Sequence, residues 1–388
     1  MDSLPRVAII SSLTGGLGHY CAHLVGPLSK YVQPKFITYP QVDLSGVVVN
    51  QITDSFIAHY IKWPRFDLDD TNPNRIVDIY EYLDQKAIHT VNIHVATTVK
   101  RKIEYFTTFV LYGKHNKRTK FVFTLHDVLP FDDDRRLIKL LQMFYGLADA
   151  FIVGNELEKE KLIKYFNIPA HKIRIIHHGI YNLFNKHHYT NESARQYLNI
   201  ENGKKIILFF GWMRVYKGFE YLIQAVSELA KKRNDFIIYV AAGVKYAEPD
   251  EIETYTQEIG KRQIEDKFFL NFNYLNTSDM EAVFKASSFV ALPYTHASQS
   301  GVLMTAVAFK KPVIITDAFF DKSWVKNKAG LVIKPKNPDE LAQAIEKLLD
   351  NPVEAKQMGE YGFTYATEHF NWDEIAKQYA EVYAAIQK

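Results

Sequence analysis

Twelve short, nearly uninterrupted apolar runs recur along the chain, with amphipathic stretches between them. In the first half they are "RVAIISS" (6–12), "PKFITY" (34–39), "TVNIHV" (90–95), "KFVFTLH" (120–126), "AFIVG" (150–154) and "KIRIIHH" (172–178). The second half repeats the rhythm with "KKIILFFG" (204–211), "DFIIYVAAG" (235–243), "KFFLNF" (267–272), "SFVALP" (288–293), "PVIITD" (312–317) and "GLVIKP" (330–335). A strand with one face in water alternates polar and apolar residues. Runs apolar at every position suit parallel strands covered on both faces. Segments such as 135–148 and 156–166 carry the helical period instead. Strands alternating with helices predict a doubly wound α/β sheet in each half.

Two domains are also what a length of 388 residues implies, since single cores stop growing well before that. The polar stretch 181–205, "YNLFNKHHYTNESARQYLNIENGKK", holds no strand, and the hinge is expected near 185–190. The expected organisation is a Rossmann-like domain over 1–187, a second over 188–370 and a terminal helix over 371–388. In that helix Ile375, Tyr379, Val382, Tyr383 and Ile386 share one stripe, and Asn371 or Asp373 stands near its cap. No strand follows it, so it either caps its own domain or crosses back to the first.

Charge and cysteine content exclude several classes. A net charge of +3 is too small for a dedicated nucleic-acid binder, and no nucleic-acid partner is expected. Cys21 has no second cysteine to pair with, which fits a reducing compartment. The start, "MDSLPRVAIISS", lacks the pattern of a secretory leader, and no apolar run approaches the roughly 20 residues of a spanning helix. The expectation is a cytoplasmic protein, at most peripheral on a membrane. The stretch 99–121 mixes Lys and Arg with Ile103, Phe106, Phe109, Val110, Leu111 and Tyr112. It reads either as a helix resting on an anionic membrane or as an ordinary helix followed by a solvated basic loop.

In doubly wound domains ligands meet the loops after the strands. After the first strand, Gly15, Gly16 and Gly18 allow either a close anion approach or a tight turn. The helix that follows is expected to be interrupted at Gly26-Pro27. His126 ends a strand, where it either bonds a sugar hydroxyl or is satisfied locally. In "ILFFGWMRVYKGFEYLIQA", Arg214 and Lys217 follow Gly211 in one strand–helix loop, a diphosphate clamp of one fork and one point charge. In "YTHASQSGVLMTAVAFKKPVI" (294–314), Ser300 or Ser298 is a candidate N-cap. Gly301 and Val302 would then offer free amides at a helix N-terminus, with Lys310 and Lys311 in its last turn. The run "DDD" (132–134) has the Asp-x-Asp spacing of metal-dependent transferases, but it precedes a helix and suits helix-start charge; no metal site is assigned. Asn191-Glu-Ser193 reads as an accidental glycosylation triplet.

Taken in order, "TGGLGHY", "FTLHDVLPF", "ADAFIVGNELEKEKL", "KIRIIHHGIYNLF", "ILFFGWMRVYKGFEYLIQA", "ASSFVALPY", "SGVLMTAVAFKKPVIITD" and "FNWDEIAKQY" resemble family 4 of the retaining glycosyltransferases over nearly the full length. The resemblance implies the GT-B fold, two Rossmann-like domains facing across a cleft, with the last helix crossing back to the first domain. It implies transfer of a sugar from a UDP- or GDP-linked donor to a glycan or lipid-linked acceptor, without cofactor or metal, in surface polysaccharide or glycolipid synthesis. Gly15 and Gly16 would lie near the reacting phosphate, His126 near the donor sugar, and Arg214 and Lys217 on the leaving diphosphate. The amides of Ser300, Gly301 and Val302 would bind that diphosphate, and Tyr274 and Leu275 the base. One departure stands out. Ala297 and Thr305 occupy the positions of the family's two glutamates, and Phe319-Phe320 replaces a common glycine pair. Ser298, Gln299, Ser300 and Thr305 would then supply the polar contacts of a rebuilt donor site; the alternative is a non-catalytic scaffold.

Overall fold

A computed structural model describes residues 4–11, 15–37, 74–95, 100–130, 135–200, 203–244, 247–248 and 250–387. The chain forms two compact units, Met1–Gly179 with Phe370–Lys388, and Ile180–His369.

Unit 1 carries β1 (Arg6–Ile10), α1 (Gly15–Leu28), β2 (Gln33–Ile37), α2 (Asn74–Gln85), β3 (Thr90–Val95), α3 (Lys100–Tyr112), β4 (Lys120–Leu125), α4 (Arg135–Tyr145), β5 (Ala150–Val153), α5 (Glu156–Phe166) and β6 (Ile173–Ile175). The six strands are parallel in the order β2-β1-β3-β4-β5-β6. Unit 2 carries α6 (Asn191–Tyr197), β7 (Lys205–Trp212), α7 (Phe219–Ala230), β8 (Phe236–Gly243), α8 (Glu251–Lys261), β9 (Phe268–Asn271), α9 (Thr277–Ala286), β10 (Phe289–Leu292), α10 (Gly301–Ala308), β11 (Val313–Thr316), β12 (Gly330–Ile333), α11 (Pro338–Asp350) and α12 (Pro352–His369). Its parallel order is β12-β11-β10-β7-β8-β9. The winding reverses between β7 and β10, and such a switch point opens a crevice at the strand C-termini.

Each of the twelve apolar runs coincides with one strand, β2 starting one residue before its run and β7 ending one residue after. β3 and β10 are buried at every residue, as strands covered on both faces must be. The last helix, α13 (Trp372–Gln387), belongs to unit 1. Ile375, Ala376, Tyr379, Val382 and Tyr383 are its buried stripe. Asn371 accepts from the Asp373 amide at 2.7 Å, and Gly179 lets the Trp372 ring approach, since a Cβ there would stand 2.3 Å from it. Buried Asn92 on β3 donates to the Tyr383 hydroxyl at 2.8 Å and accepts from Thr124 at 2.9 Å, so its amide is paired by the sheet and the returning helix together.

Three expectations change, and one open alternative closes. The units divide at 179/180, not at a hinge near 185–190. Glu281, buried on α9, accepts the amide protons of Lys186, His187 and Tyr189 at 2.7–3.2 Å and so fastens that stretch to unit 2. Pro27 does not interrupt α1, because it falls in the last turn, where one more residue ends the helix. Lys311 does not serve α10; its ammonium donates to the carbonyls of Lys285 and Ser287 and so caps α9. Burial holds its pKa down at about 8. Finally, Ile103, Phe106, Phe109 and Val110 on α3 are buried in the core of unit 1 and are not available to a membrane. Lys114 and Lys117 in the following turn pair with Asp149 and Asp84.

Candidate active site

The loops on either side of the unit 2 switch point are locked to each other by backbone. Gly218, at φ +70°, lies so close to the Pro293 carbonyl that a Cβ would stand 2.2 Å from its oxygen. The Thr295 amide donates to the Tyr216 carbonyl at 2.7 Å. Gly211, the last residue but one of β7, adopts φ +118°, a conformation that favours glycine. The space its missing side chain leaves is taken by the Lys217 ammonium, which a Cβ would approach to 2.2 Å; the Val302 side chain lies 3.3 Å from the same point. Lys217 is thus held at the start of α10. It is 5% exposed, donates to the Phe210 carbonyl at 3.4 Å and lies 5.4 Å from the Tyr294 ring centre. Burial, with the nearby Arg214 guanidinium, lowers its pKa to about 7.

Ser300 caps α10, its hydroxyl accepting from the Leu303 amide at 3.2 Å. The amides of Gly301 and Val302 belong to the first turn, which has no intrahelical acceptor for them. Gly301 lies against the Tyr181 ring, where a Cβ would stand 3.1 Å from the nearest ring carbon, a tight contact. A buried ammonium beside a capped helix N-terminus is an anion site by its chemistry.

The polar contacts expected in place of the two carboxylates are partly committed elsewhere. The Thr305 hydroxyl, 4% exposed, donates back to the Gly301 carbonyl at 2.8 Å. The Ser300 oxygen serves as the cap. Ala297 is buried and pairs in a bridge with Phe319, whose ring stacks on Tyr294 at 5.3 Å. Phe319 and the Lys217 ammonium thus both approach the Tyr294 ring. Gln299 is half-buried and Ser298 lies in the same loop.

Tyr274 and Leu275 follow β9. The Tyr274 ring is exposed and stacks on Trp212 at 5.2 Å, and Trp212 in turn covers Gly243, where a Cβ would come 2.5 Å from the indole. An aromatic ledge thus spans the ends of β7, β8 and β9. Trp212 and Tyr294 are absent from the sequence-based candidates. The stretch 243–248 is described only in part.

In unit 1, Gly15 and Gly16 open α1, and Gly16 is exposed with open space where a Cβ would stand. His126 stands just past β4. The loop after it is fastened at Val128, whose amide donates to the buried Glu158 carboxylate at 2.9 Å and whose carbonyl accepts from Tyr145 at 3.1 Å. His126 does not stand alone. Its Nε2 lies 3.2 Å from Nδ1 of His94 on β3, a residue absent from the sequence-based candidates because it reads as mid-strand core. Tyr20 packs edge-on against His126 and His178, with ring centres 5.0 and 5.2 Å apart. Burial holds His94 at about 3 and His178 at about 4, and it carries His126 well below the usual imidazole range, with His94 and His178 pushing the same way. These rings are neutral at pH 7. Among the described residues no group of three or more His, Cys, Asp or Glu is placed to hold a metal, and no helix is long and apolar enough to cross a membrane. The Asp132–Asp134 run lies outside the described residues.

Two doubly wound units, one presenting a buried lysine and a capped helix start at its switch point, define a two-unit protein of the doubly wound α/β class. The comparisons narrow the class. The family described as "Glycosyltransferase Family 4" matches residues 15–181, and that described as "Glycosyl transferases group 1" matches residues 190–365. An uncharacterized glycosyltransferase of Methanocaldococcus jannaschii is 23% identical over 96% of this chain and 94% of its own. A D-inositol 3-phosphate glycosyltransferase of Corynebacterium aurimucosum is 26% identical over 67% of this chain and 62% of its own. Among solved structures, a glycosyltransferase from Rickettsia africae shares the fold over the full length of both chains at 17% identity and TM-score 0.77. Anabaena HepE, in complex with UDP-glucose, does so over 98% of this chain and 99% of its own at 15% identity and TM-score 0.76. The chain belongs to the glycosyltransferases of GT-B fold.

Proposed function

We propose that the protein is a retaining glycosyltransferase that moves a sugar from a nucleotide-diphosphate sugar to a hydroxyl of a glycan or lipid-linked acceptor. The carrying observation is the Lys217 ammonium held in the space at Gly211, beside the first turn of α10. Departure of the diphosphate builds negative charge, and a desolvated ammonium with preorganised amides stabilises such charge far better than water-exposed groups do. On this reading Arg214 adds a second cation, Gly15 and Gly16 admit the reacting phosphate, and His126 bonds the transferred sugar. Charge stabilisation of this kind asks for no metal. The aromatic ledge of Trp212 and Tyr274 suits a base, and the UDP carried by HepE makes uridine the first base to test.

The second reading, a scaffold that binds no donor, is favoured by one observation: Ala297 is apolar and buried, and Thr305 spends its hydroxyl on Gly301. Calorimetry with UDP and GDP separates the two. A donor site predicts binding of at least one, weakened about tenfold or more in Lys217→Ala by loss of a charge-assisted contact. No binding of either at millimolar concentration decides for the scaffold.

A further inference from the structure

His94 and His126 present one hydrogen-bond contact between two imidazoles, Nδ1 of the first to Nε2 of the second at 3.2 Å. Each neutral ring carries one proton, so only two arrangements make this bond. In one, His126 Nε2–H donates to His94. His94 then carries its own proton on Nε2, an atom that is buried and has no hydrogen-bonding partner among the described residues. In the other, His94 Nδ1–H donates to His126, which keeps its proton on Nδ1 while His94 buries a bare nitrogen. A buried N–H with no acceptor is the rarer and costlier defect. The Cys21 sulfur, 3.9 Å from His94 Nδ1, can accept from or donate to that nitrogen and is compatible with either arrangement.

We propose that His94 is a positioning residue that fixes the tautomer of His126. Through its Nδ1–H it occupies His126 Nε2, so that His126 presents Nδ1–H as a hydrogen-bond donor. This rests on the reading above in which His126 meets the transferred sugar. Under it, His126 donates to a sugar oxygen and takes no proton away, because its other nitrogen is already an acceptor. Three features hold the pair in place. β3 and β4 are in parallel register with His94 opposite Thr124, two residues before His126. The Tyr379 ring of the returning helix α13 stacks parallel to His94 at 8°. The Tyr20 ring packs against both imidazoles, and its hydroxyl lies 2.9 Å from that of Tyr379.

The test is a long-range proton–nitrogen correlation spectrum of the ligand-free, histidine-labelled full chain, which identifies the protonated nitrogen of each ring. The expected result is His126 protonated on Nδ1 in the wild type and no longer confined to Nδ1 in His94→Phe. In His94→Asn, whose amide N–H stands near the lost Nδ1–H, the tautomer should return. Should His94→Phe fail to fold, the wild-type spectrum alone decides. His126 protonated on Nε2 in the wild type overturns the inference, and so does a His94→Phe protein whose His126 keeps its Nδ1 proton. Turnover of a nucleotide sugar gives the second readout, with kcat/KM falling about tenfold or more in His94→Phe and largely recovering in His94→Asn. A correct tautomer in a protein that binds neither UDP nor GDP would remove the donor reading and leave the histidine pair as described. A wrong tautomer in an active enzyme would do the reverse.

Discussion

A glycine governs where the lysine stands. Gly211 adopts φ +118°, and the Lys217 ammonium sits where its side chain would be. Gly211→Ala therefore costs twice. The backbone conformation is strained for any L side chain, by roughly 1–3 kcal/mol, and the new methyl pushes the ammonium away from the helix start. UDP affinity in calorimetry should fall about tenfold, comparable to losing a charge-assisted contact, even where the fold survives. The same lysine makes binding depend on pH. Unliganded, it titrates at about 7 because burial and Arg214 disfavour the ammonium. A bound diphosphate favours the ammonium and so raises its pKa. Binding then takes up a proton above pH 7, and UDP affinity should drop by up to about tenfold per pH unit from there. Titrations in buffers of different ionisation enthalpy would reveal the uptake, and affinity flat between pH 7 and 9 would contradict it.

The elements show how far local pattern reaches. The inner strands could be read because a parallel strand buried on both faces is largely apolar along its length, a signal contained within its own few residues. The Ser300 cap and the glycines at β7 and α7 were legible for the same reason. Contacts made over long sequence distances were not. The stretch 186–189 is polar and reads as a hinge, yet its amides are held by Glu281, more than 90 residues downstream. Lys311 follows α10 in sequence but caps α9 in space. His94 lies inside an apolar run, and only the register of β3 on β4 brings it to His126. Glu281→Ala tests the first of these. It removes the acceptor of three part-buried amide protons, at roughly 0.5–1 kcal/mol each, so unfolding of unit 2 should require about 2 kcal/mol less. Denaturant unfolding measures this, and a change below about 1 kcal/mol would mean water replaces the carboxylate freely.

Taken whole, the chain joins two units of one architecture whose buried bases are displaced in the same direction but titrate in different pH windows. In unit 1, burial lowers His23 and His94 to about 3 and His19 and His178 to about 4, with His126 also displaced downward. The unfolded chain takes up protons near pH 6.5 that the folded unit refuses until well below that, so unit 1 loses stability as pH falls through 6.5. From pH 7 to 5 a single such histidine accounts for about 2 kcal/mol. In unit 2, burial lowers Lys217 to about 7 and Lys311 to about 8. Between those values and 10.5 the folded unit has released protons that the unfolded chain keeps, so unit 2 gains stability as pH rises. Calorimetric unfolding at pH 5, 7 and 9 should accordingly move one transition down in acid and the other up in base. Because UDP binds unit 2 on the proposed reading, it identifies that unit's transition by raising it. Lys217→Met should remove part of the alkaline gain while leaving the acid loss untouched, since the histidines lie in the other unit. Two transitions that shift together across this range would show that neither set of buried groups controls its own unit.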